Sequence, residues 1–315
     1  MSGREGMNWL VAPASLEAGV LAELGWVLIA GASVIFVLTT ALLALALRRR
    51  KRVLPTAWWT VGGGIVFPAV VLSTLLLYGV QRTAGLERAP AASPLVIGVT
   101  GHLWWWDVHY RDPATGATIR VANELHLPLG QPVQLGLQSA DVIHSFWVPA
   151  LGGKMDLVPG RVNRLVITAD TPGVYRGVCA EYCGTQHARM GLHVVVETPE
   201  QFQRWLAAQA AQAAAPRDAQ AQRGRQAFLD HGCAACHVLR GVASRAEGPG
   251  ALGPDLTHVG GRLHLGAGTI ANGEQAMLNW ITDVQAHKPG ARMPSFGHLD
   301  RETLVALAAY LVDLK

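Results

Sequence analysis

Charge is what this chain has least of. Asp, Glu, Lys and Arg make up 15% of its 315 residues, while 50% are hydrophobic; an ordinary soluble domain is about 25% charged. The net charge of +4 does not make a basic surface either. The run Arg48-Arg49-Arg50-Lys51-Arg52 accounts for all of the excess, so no basic face is left for a phosphate backbone, and a nucleic-acid partner is excluded. No short apolar core with a small-residue cleavage site stands at the start, so no cleavable signal peptide is expected. No lipid-attachment cysteine lies there, because all four cysteines fall far downstream.

What the chain has instead is two long uncharged runs. Residues 25–47 are almost wholly apolar, and residues 53–81 contain an apolar heart at 61–80. Each is long enough to cross a bilayer core of ~30 Å. Gly62-Gly63-Gly64 and Pro68 would break a soluble helix but are tolerated in a membrane one. The basic run lies in the connection between them, which places that connection in the cytoplasm and both termini outside. A two-helix transmembrane hairpin in the cytoplasmic (inner) membrane of a bacterial-type cell is expected over residues 1–84.

From residue 95 the pattern changes to alternation in short runs, at 95–100, 104–110, 119–121, 133–138, 164–168, 175–178 and 192–196, punctuated by Pro and Gly. Many short strands at this spacing predict an antiparallel sandwich or barrel over residues 85–206. Alternation through Trp104-Trp105-Trp106 puts Trp104 and Trp106 on one face. Trp205 closes the domain. An Ala/Gln tract ending at Pro216 follows as a linker (207–218), either a short helix or a loose tether.

Within that domain stands Cys179-Ala-Glu-Tyr-Cys183-Gly-Thr-Gln-His187-Ala-Arg-Met190, and upstream Asp141-Val-Ile-His144-Ser-Phe-Trp-Val-Pro. Thiolate, imidazole and thioether together suit copper and exclude magnesium or calcium as the ion they hold. Two cysteines alone would more often be a disulfide, and a mononuclear blue-copper site would leave one thiol surplus. Two bridging cysteines with two histidines and two weak donors match a dinuclear copper centre.

In residues 219–315, a short helical run at 222–231 leads into Cys233-Ala-Ala-Cys236-His237, the attachment sequence of c-type haem, with His237 as proximal ligand. Gly253-Pro254-Asp255-Leu256 follows, then Gly260-Gly261-Arg262, a candidate partner for a haem propionate. Met293, on the Pro/Gly loop Pro289-Gly-Ala-Arg-Met293-Pro-Ser-Phe, is the expected distal ligand. Met277 competes for that place but lies in the helical stretch 274–283 and is expected to pack beside Trp280. A terminal helix is expected at 304–314. With two cysteines on copper and two on haem, none is left for a structural disulfide.

His-Ser-Phe-Trp-Val-Pro followed by the Cys179–Met190 loop resembles subunit II of the haem–copper cytochrome c oxidases, and the C-terminal part resembles a class I cytochrome c. The first resemblance implies a cupredoxin-like Greek-key barrel. It implies a copper A centre held by His144, Cys179, Cys183, His187, Met190 and the backbone carbonyl of Glu181, whose side chain helps hold magnesium against subunit I. It singles out Trp104 as the ring through which electrons reach copper, and places Asp141 near the site. The family's glutamate before the Trp-Thr pair of the second span is missing here, where Pro55-Thr-Ala-Trp58 precedes Trp59-Thr60. Proton entry is then built differently or supplied by another subunit.

The fusion resembles the caa3-type oxidases and implies an electron-entry subunit of an O2-reducing, proton-translocating oxidoreductase. Its expected partners are subunits I and III, a cytochrome c or other external donor, and the bilayer. Both metal domains would lie on the periplasmic side. The alternatives are a copper A subunit of a nitric oxide reductase and a membrane-anchored copper/haem redox sensor.

Overall fold

The computed structural model describes residues 12–48, 56–86, 95–243 and 252–315. The basic connector beyond Arg48 and the N-terminal tail before residue 12 lie outside the described residues.

Two long helices open the chain. Helix α1 spans Leu16–Arg48, and a π-helical stretch Trp58–Val66 runs into α2, Phe67–Thr83. Gly62-Gly63-Gly64 present no Cβ to crowd the wider turns, and Pro68, which cannot donate to the carbonyl a turn back, follows directly. Their apolar side chains are uncovered, with Phe36 70% and Leu72 65% exposed, as expected of surface that meets lipid. Hydroxyls inside α1 are satisfied by its own backbone: Ser33 Oγ donates to Ile29 O (2.7 Å) and Thr39 Oγ1 to Ile35 O (2.9 Å). Tyr78 Oη donates to Glu23 Oε1 (2.6 Å), and Arg82 pairs with the same carboxylate, tying the start of α1 to the end of α2.

Ten strands follow: β1 Leu95–His102, β2 Trp105–Arg111, β3 Thr118–Ala122, β4 Glu124–Pro128, β5 Val133–Ser139, β6 His144–Trp147, β7 Met155–Leu157, β8 Asn163–Ile167, β9 Gly173–Cys179 and β10 Gly191–Glu197. They form two five-stranded sheets, ordered β3-β2-β1-β5-β8 and β4-β10-β9-β6-β7. The sheets enclose a core that includes Trp106, Tyr110, Phe146, Leu125, Leu135 and Leu192. Two pairings correct the antiparallel expectation: β1 runs parallel to β5 and β4 parallel to β10. Parallel neighbours need a long crossover, and here each crossover is made of other strands of the sandwich. Ser15 and Ala14 anchor the head of α1 to the sandwich, through Ser15 Oγ to Leu151 O (3.0 Å) and Ala14 N to Ala150 O (2.8 Å). The start of α1, the end of α2 and the sandwich therefore share one end of the hairpin.

Under the first sheet, Asp107 is 2% exposed and meets His109 Nε2 at 3.0 Å and the guanidinium of Arg120. Burial pushes its carboxyl up, but the bonds and charges of His109 and Arg120 outweigh this and hold it below the usual carboxylate range. A depressed carboxylate stabilises the fold above its ordinary pKa and stops doing so as pH falls through the depressed value. Asp107→Asn is expected to cost about 1–2 kcal/mol at neutral pH, because the buried carboxylate that accepts from Arg120 and His109 is lost. Thermal melts of the full chain in detergent check this; equal melting temperatures at pH 7 would refute it.

Helix α3 (Pro199–Ala210) carries a Thr198/Gln201 capping box and buries Phe202 and Leu206 against the sandwich. The Ala/Gln tract divides: its first residues end α3, and the rest is held along the C-terminal domain by Ala213 N to Arg240 O (2.9 Å) and His258 Nε2 to Ala211 O (3.2 Å). That domain contains α4 (Ala219–Asp230), α5 (Glu274–Thr282), α6 (Val284–His287) and α7 (Arg301–Asp313), with a two-strand ribbon, β11 His264–Leu265 and β12 Ile270–Ala271. Phe228, Leu307, Tyr310 and Met277 are among the residues of its separate core.

Candidate metal centre

Strand β9 ends at Cys179 and β10 begins at Gly191, so the sulfur-bearing loop joins two hydrogen-bonded neighbours of one sheet. Its closing bonds are Cys179 N to Met190 O (3.0 Å), Ala180 N to Ser145 O (2.9 Å) and His187 N to Gly184 O (3.0 Å). His144, on β6, faces the loop because Phe146 pairs with Cys179. Tertiary pairing thus brings the distant imidazole to the thiols.

The donors fall into two ends. Cys179 Sγ and Cys183 Sγ lie 3.8 Å apart as free thiols. At the Cys179 end stand His144 Nδ1 (3.9 Å) and Glu181 O (3.2 Å). At the Cys183 end stand His187 Nδ1 (3.7 Å) and Met190 Sδ (3.8 Å). Metal–sulfur bonds are ~2.3 Å, so sulfurs this close can both touch one ion, and two imidazoles and two weak donors stand within 4 Å of one sulfur or the other. The ligand atoms of His144, Cys179 and Cys183 all lie within 4.8 Å of one another, and all three residues are buried. The arrangement fits a pair of soft ions better than one.

The protonation of the pair points the same way. The hydrogen bond from the Cys183 thiol, opposed by burial and helped by His144 and two backbone groups, holds the Cys179 thiol below its ordinary range. Cys183 is raised by the same thiolate and by burial. The thiolate that this pair favours is the form in which a cysteine ligates metal.

Asp141 is part of this centre. Its Oδ1 is 2.8 Å from His144 Nε2, and its Oδ2 accepts from Leu103 N at 2.8 Å. Burial pushes the His144 imidazole down, but its bonds to Asp141 and Cys179 outweigh that and hold it above the usual value. A carboxylate on the far nitrogen fixes the tautomer that leaves Nδ1 free for a metal. Asp141→Asn is expected to weaken copper binding by about 10- to 100-fold, read by chelator competition; unchanged affinity would show that the bond does not orient the ring.

Trp104 departs from the alternation expected of it. It lies in the turn before β2, while Trp106 is in the core against Phe146 and Trp105 stacks on His102 at 4.4 Å. In the turn its Nε1 donates to Cys183 O (2.8 Å). Gly184, at φ +113°, permits this approach, since a Cβ there would lie 3.2 Å from the indole. His126 and His109 are paired with Glu197 (2.8 Å) and Asp107.

In the C-terminal domain, Cys233 and Cys236 lie on and just after a short 3-10 turn, with His237 N bonded to Cys233 O (3.0 Å). His237 Nδ1 donates to Pro254 O (2.8 Å), which leaves Nε2 free, and burial pushes the imidazole down toward its neutral, ligating form. A Cβ on Gly253 would lie 2.6 Å from the His237 ring. This donor set suits a haem iron held from the proximal side. Met293 is half-buried on its loop, with its carbonyl accepting from Gln285 Nε2 (3.0 Å), whereas Met277 is locked in the core. Arg262 donates to Asp255 O and so braces the Pro254-Asp255 backbone.

Sequence reading missed the seam between the two domains. Lys288, 4% exposed, donates from Nζ to Trp104 O (2.7 Å), Arg189 O (2.9 Å) and Gly266 O (3.1 Å). Arg189 donates to His287 O, Glu124 accepts from Leu263 N, and His193 stacks on His264 at 4.2 Å. A lysine in a Pro/Gly loop carries no local sign of such a role.

These features define a membrane-anchored metalloprotein with a soft-metal site in a β-sandwich and a haem-attachment sequence in a helical domain. Residues 114–198 match the family described as cytochrome c oxidase subunit II, periplasmic domain, and residues 221–315 match cytochrome c. Cytochrome c oxidase subunit 2 of Alkalihalophilus pseudofirmus is 35% identical over 259 residues, covering 82% of this chain and 72% of the relative. That of Bacillus sp. (strain PS3) is 31% identical over 265 residues, covering 79% and 72%. The periplasmic domain of subunit II of cytochrome oxidase of Bradyrhizobium japonicum aligns at 30% identity over 39% of this chain and 97% of its own, with a TM-score of 0.36. The chain belongs to the cytochrome c oxidase subunit 2 family and carries a fused cytochrome c domain.

Proposed function

We propose that this subunit is the electron entrance of its oxidase. Electrons from a soluble or membrane-bound cytochrome c, or another external donor, arrive at the domain of Cys233, Cys236, His237 and Met293. They cross Trp104 to the copper A loop and leave for the haem of subunit I, where O2 is reduced to water. The observation that carries the reading is the place of Trp104: its indole is bonded to the Cys183 carbonyl, and its far edge faces the haem-domain loop, where a Cβ on Gly290 would lie 3.8 Å from the ring.

When bound, dinuclear copper A and haem c supply one-electron carriers that react with little rearrangement of their surroundings. The residues do the rest. Cys179, Cys183, His144, His187, Met190 and the Glu181 carbonyl would hold the copper pair, one imidazole to each ion, all on or between strands that hold them fixed. Cys233 and Cys236 would tether the porphyrin, and His237, pinned by Pro254 O, and Met293 would ligate its iron. The Glu181 side chain and Tyr182, 75% exposed, present a face for subunit I, with magnesium held there by Glu181. Subunit III is a further neighbour. The Arg48–Arg52 run faces the cytoplasm, so both termini and both metal domains are periplasmic.

The test is the purified complex. The copper paramagnetic signal should show one unpaired electron shared over two coppers, a denaturing gel should show covalent haem on this chain, and rapid mixing with reduced cytochrome c under argon should reduce haem before copper. A single copper, or copper reduced no later than haem, would refute the relay. Turnover on nitric oxide in place of oxygen would move the subunit to the alternative reductase.

A further inference from the structure

We propose that Lys288 is the positioning residue that fixes the haem domain on the copper domain in the geometry used for electron transfer between them. The inference deepens the electron-entrance reading and rests on it. An ammonium has three protons, and the three carbonyl oxygens around Lys288 come from both sides of the seam. Two belong to the copper domain, on Trp104 and on Arg189, the residue before Met190; the third is Gly266 O, in the haem domain. The lysine is therefore bonded to the backbone of the electron-entry ring and to that of the copper loop at once.

The surroundings are built for this contact. Gly266, Ala267 and Gly268 take positive φ in succession, 62°, 62° and 78°. The turn they make aims Gly266 O at Lys288, while Ala267 O accepts from Gly191 N (3.0 Å), the residue after Met190. Ala267 is an uncommon residue at such a φ, so this conformation is held by what it touches. Lys288 also stands immediately before Pro289-Gly290, the segment facing the outer edge of Trp104, and on the same loop as Met293. Burial pushes the amine down, while the three carbonyl acceptors favour the charged form.

Removing the buried ammonium leaves three carbonyls of the seam without this donor, and the docked arrangement loses population to undocked ones. Transfer slows in proportion to the competent fraction, by about tenfold or more. The experiment uses the complete oxidase carrying Lys288→Met or Lys288→Gln, the latter able to donate two of the three bonds. Flash-induced reduction of haem c is followed by the rate at which copper A takes the electron, with the optical spectrum of haem and the copper paramagnetic signal as occupancy controls. Lys288→Met should slow transfer at least tenfold with both spectra intact. Lys288→Gln should fall between Met and wild type, and reduction of copper by a small diffusible reductant should be unchanged in both. A Lys288→Met rate within twofold of wild type overturns the proposal and leaves the electron-entrance reading standing. Loss of haem from both variants also overturns it, by making Lys288 a folding residue of its own domain. Failure of the wild-type chain to pass electrons from haem to copper would remove the underlying reading instead.

Discussion

Cys183→Ser is expected to abolish the dinuclear copper signal, in which one unpaired electron is shared over two nuclei, and to lower oxidase turnover by on the order of 100-fold or more. Cys183, like Cys179, stands against three other donors of the centre: Cys179 Sγ at 3.8 Å, His187 Nδ1 at 3.7 Å and Met190 Sδ at 3.8 Å. A serine oxygen is harder and far less acidic than a thiol, so it neither suits copper nor gives the second negative charge a bridge requires. Losing even a residue that orients a ligand costs 10- to 100-fold, and a bridging ligand serves both ions. The haem spectrum should survive, because the C-terminal domain has its own core. Retention of two coppers and the shared signal in Cys183→Ser would show that the sulfurs are not the bridge.

The second large effect is expected from Cys233→Ala/Cys236→Ala. Haem should no longer stay with the chain in a denaturing gel, and turnover driven by external cytochrome c should fall on the order of 100-fold. A fused donor acts at an effective concentration that a free one does not reach, and the seam covers the Trp104 edge of the copper domain with the haem domain itself. The helical domain should also lose thermal stability, since Cys233 and Ala234 pack against its core beside the attachment site. Copper content should stay at the wild-type level and remain reducible by a small diffusible reductant. Full turnover without covalent haem would take the fused domain out of the electron path.

The chemistry was legible from residue types, while placement often was not. Seven of the strands were visible as alternating runs, but β4, β6 and β7 were not. Every residue of β4 is buried, including Glu124 and His126, whose partners Leu263 and Glu197 are remote in sequence. In β6 the buried run begins with His144 and Ser145, so no polar face alternates with an apolar one. Trp104 read as a strand residue because it begins a tryptophan run; the turn that redirects it is held by Asp141 accepting from Leu103 N. Asp141, which the family resemblance places near the site, both holds this turn and meets His144.

By itself the sequence determined what the protein can bind and where it can live. Ligand softness, the haem-attachment spacing and uninterrupted apolar length are properties of residue types and short stretches, and folding does not alter them. Only the tertiary structure decided distances: which imidazole serves which sulfur, which strands run parallel, and how the two domains meet along a seam that includes the buried Lys288. Those depend on pairings between segments far apart along the chain, and nothing in either segment alone records its partner.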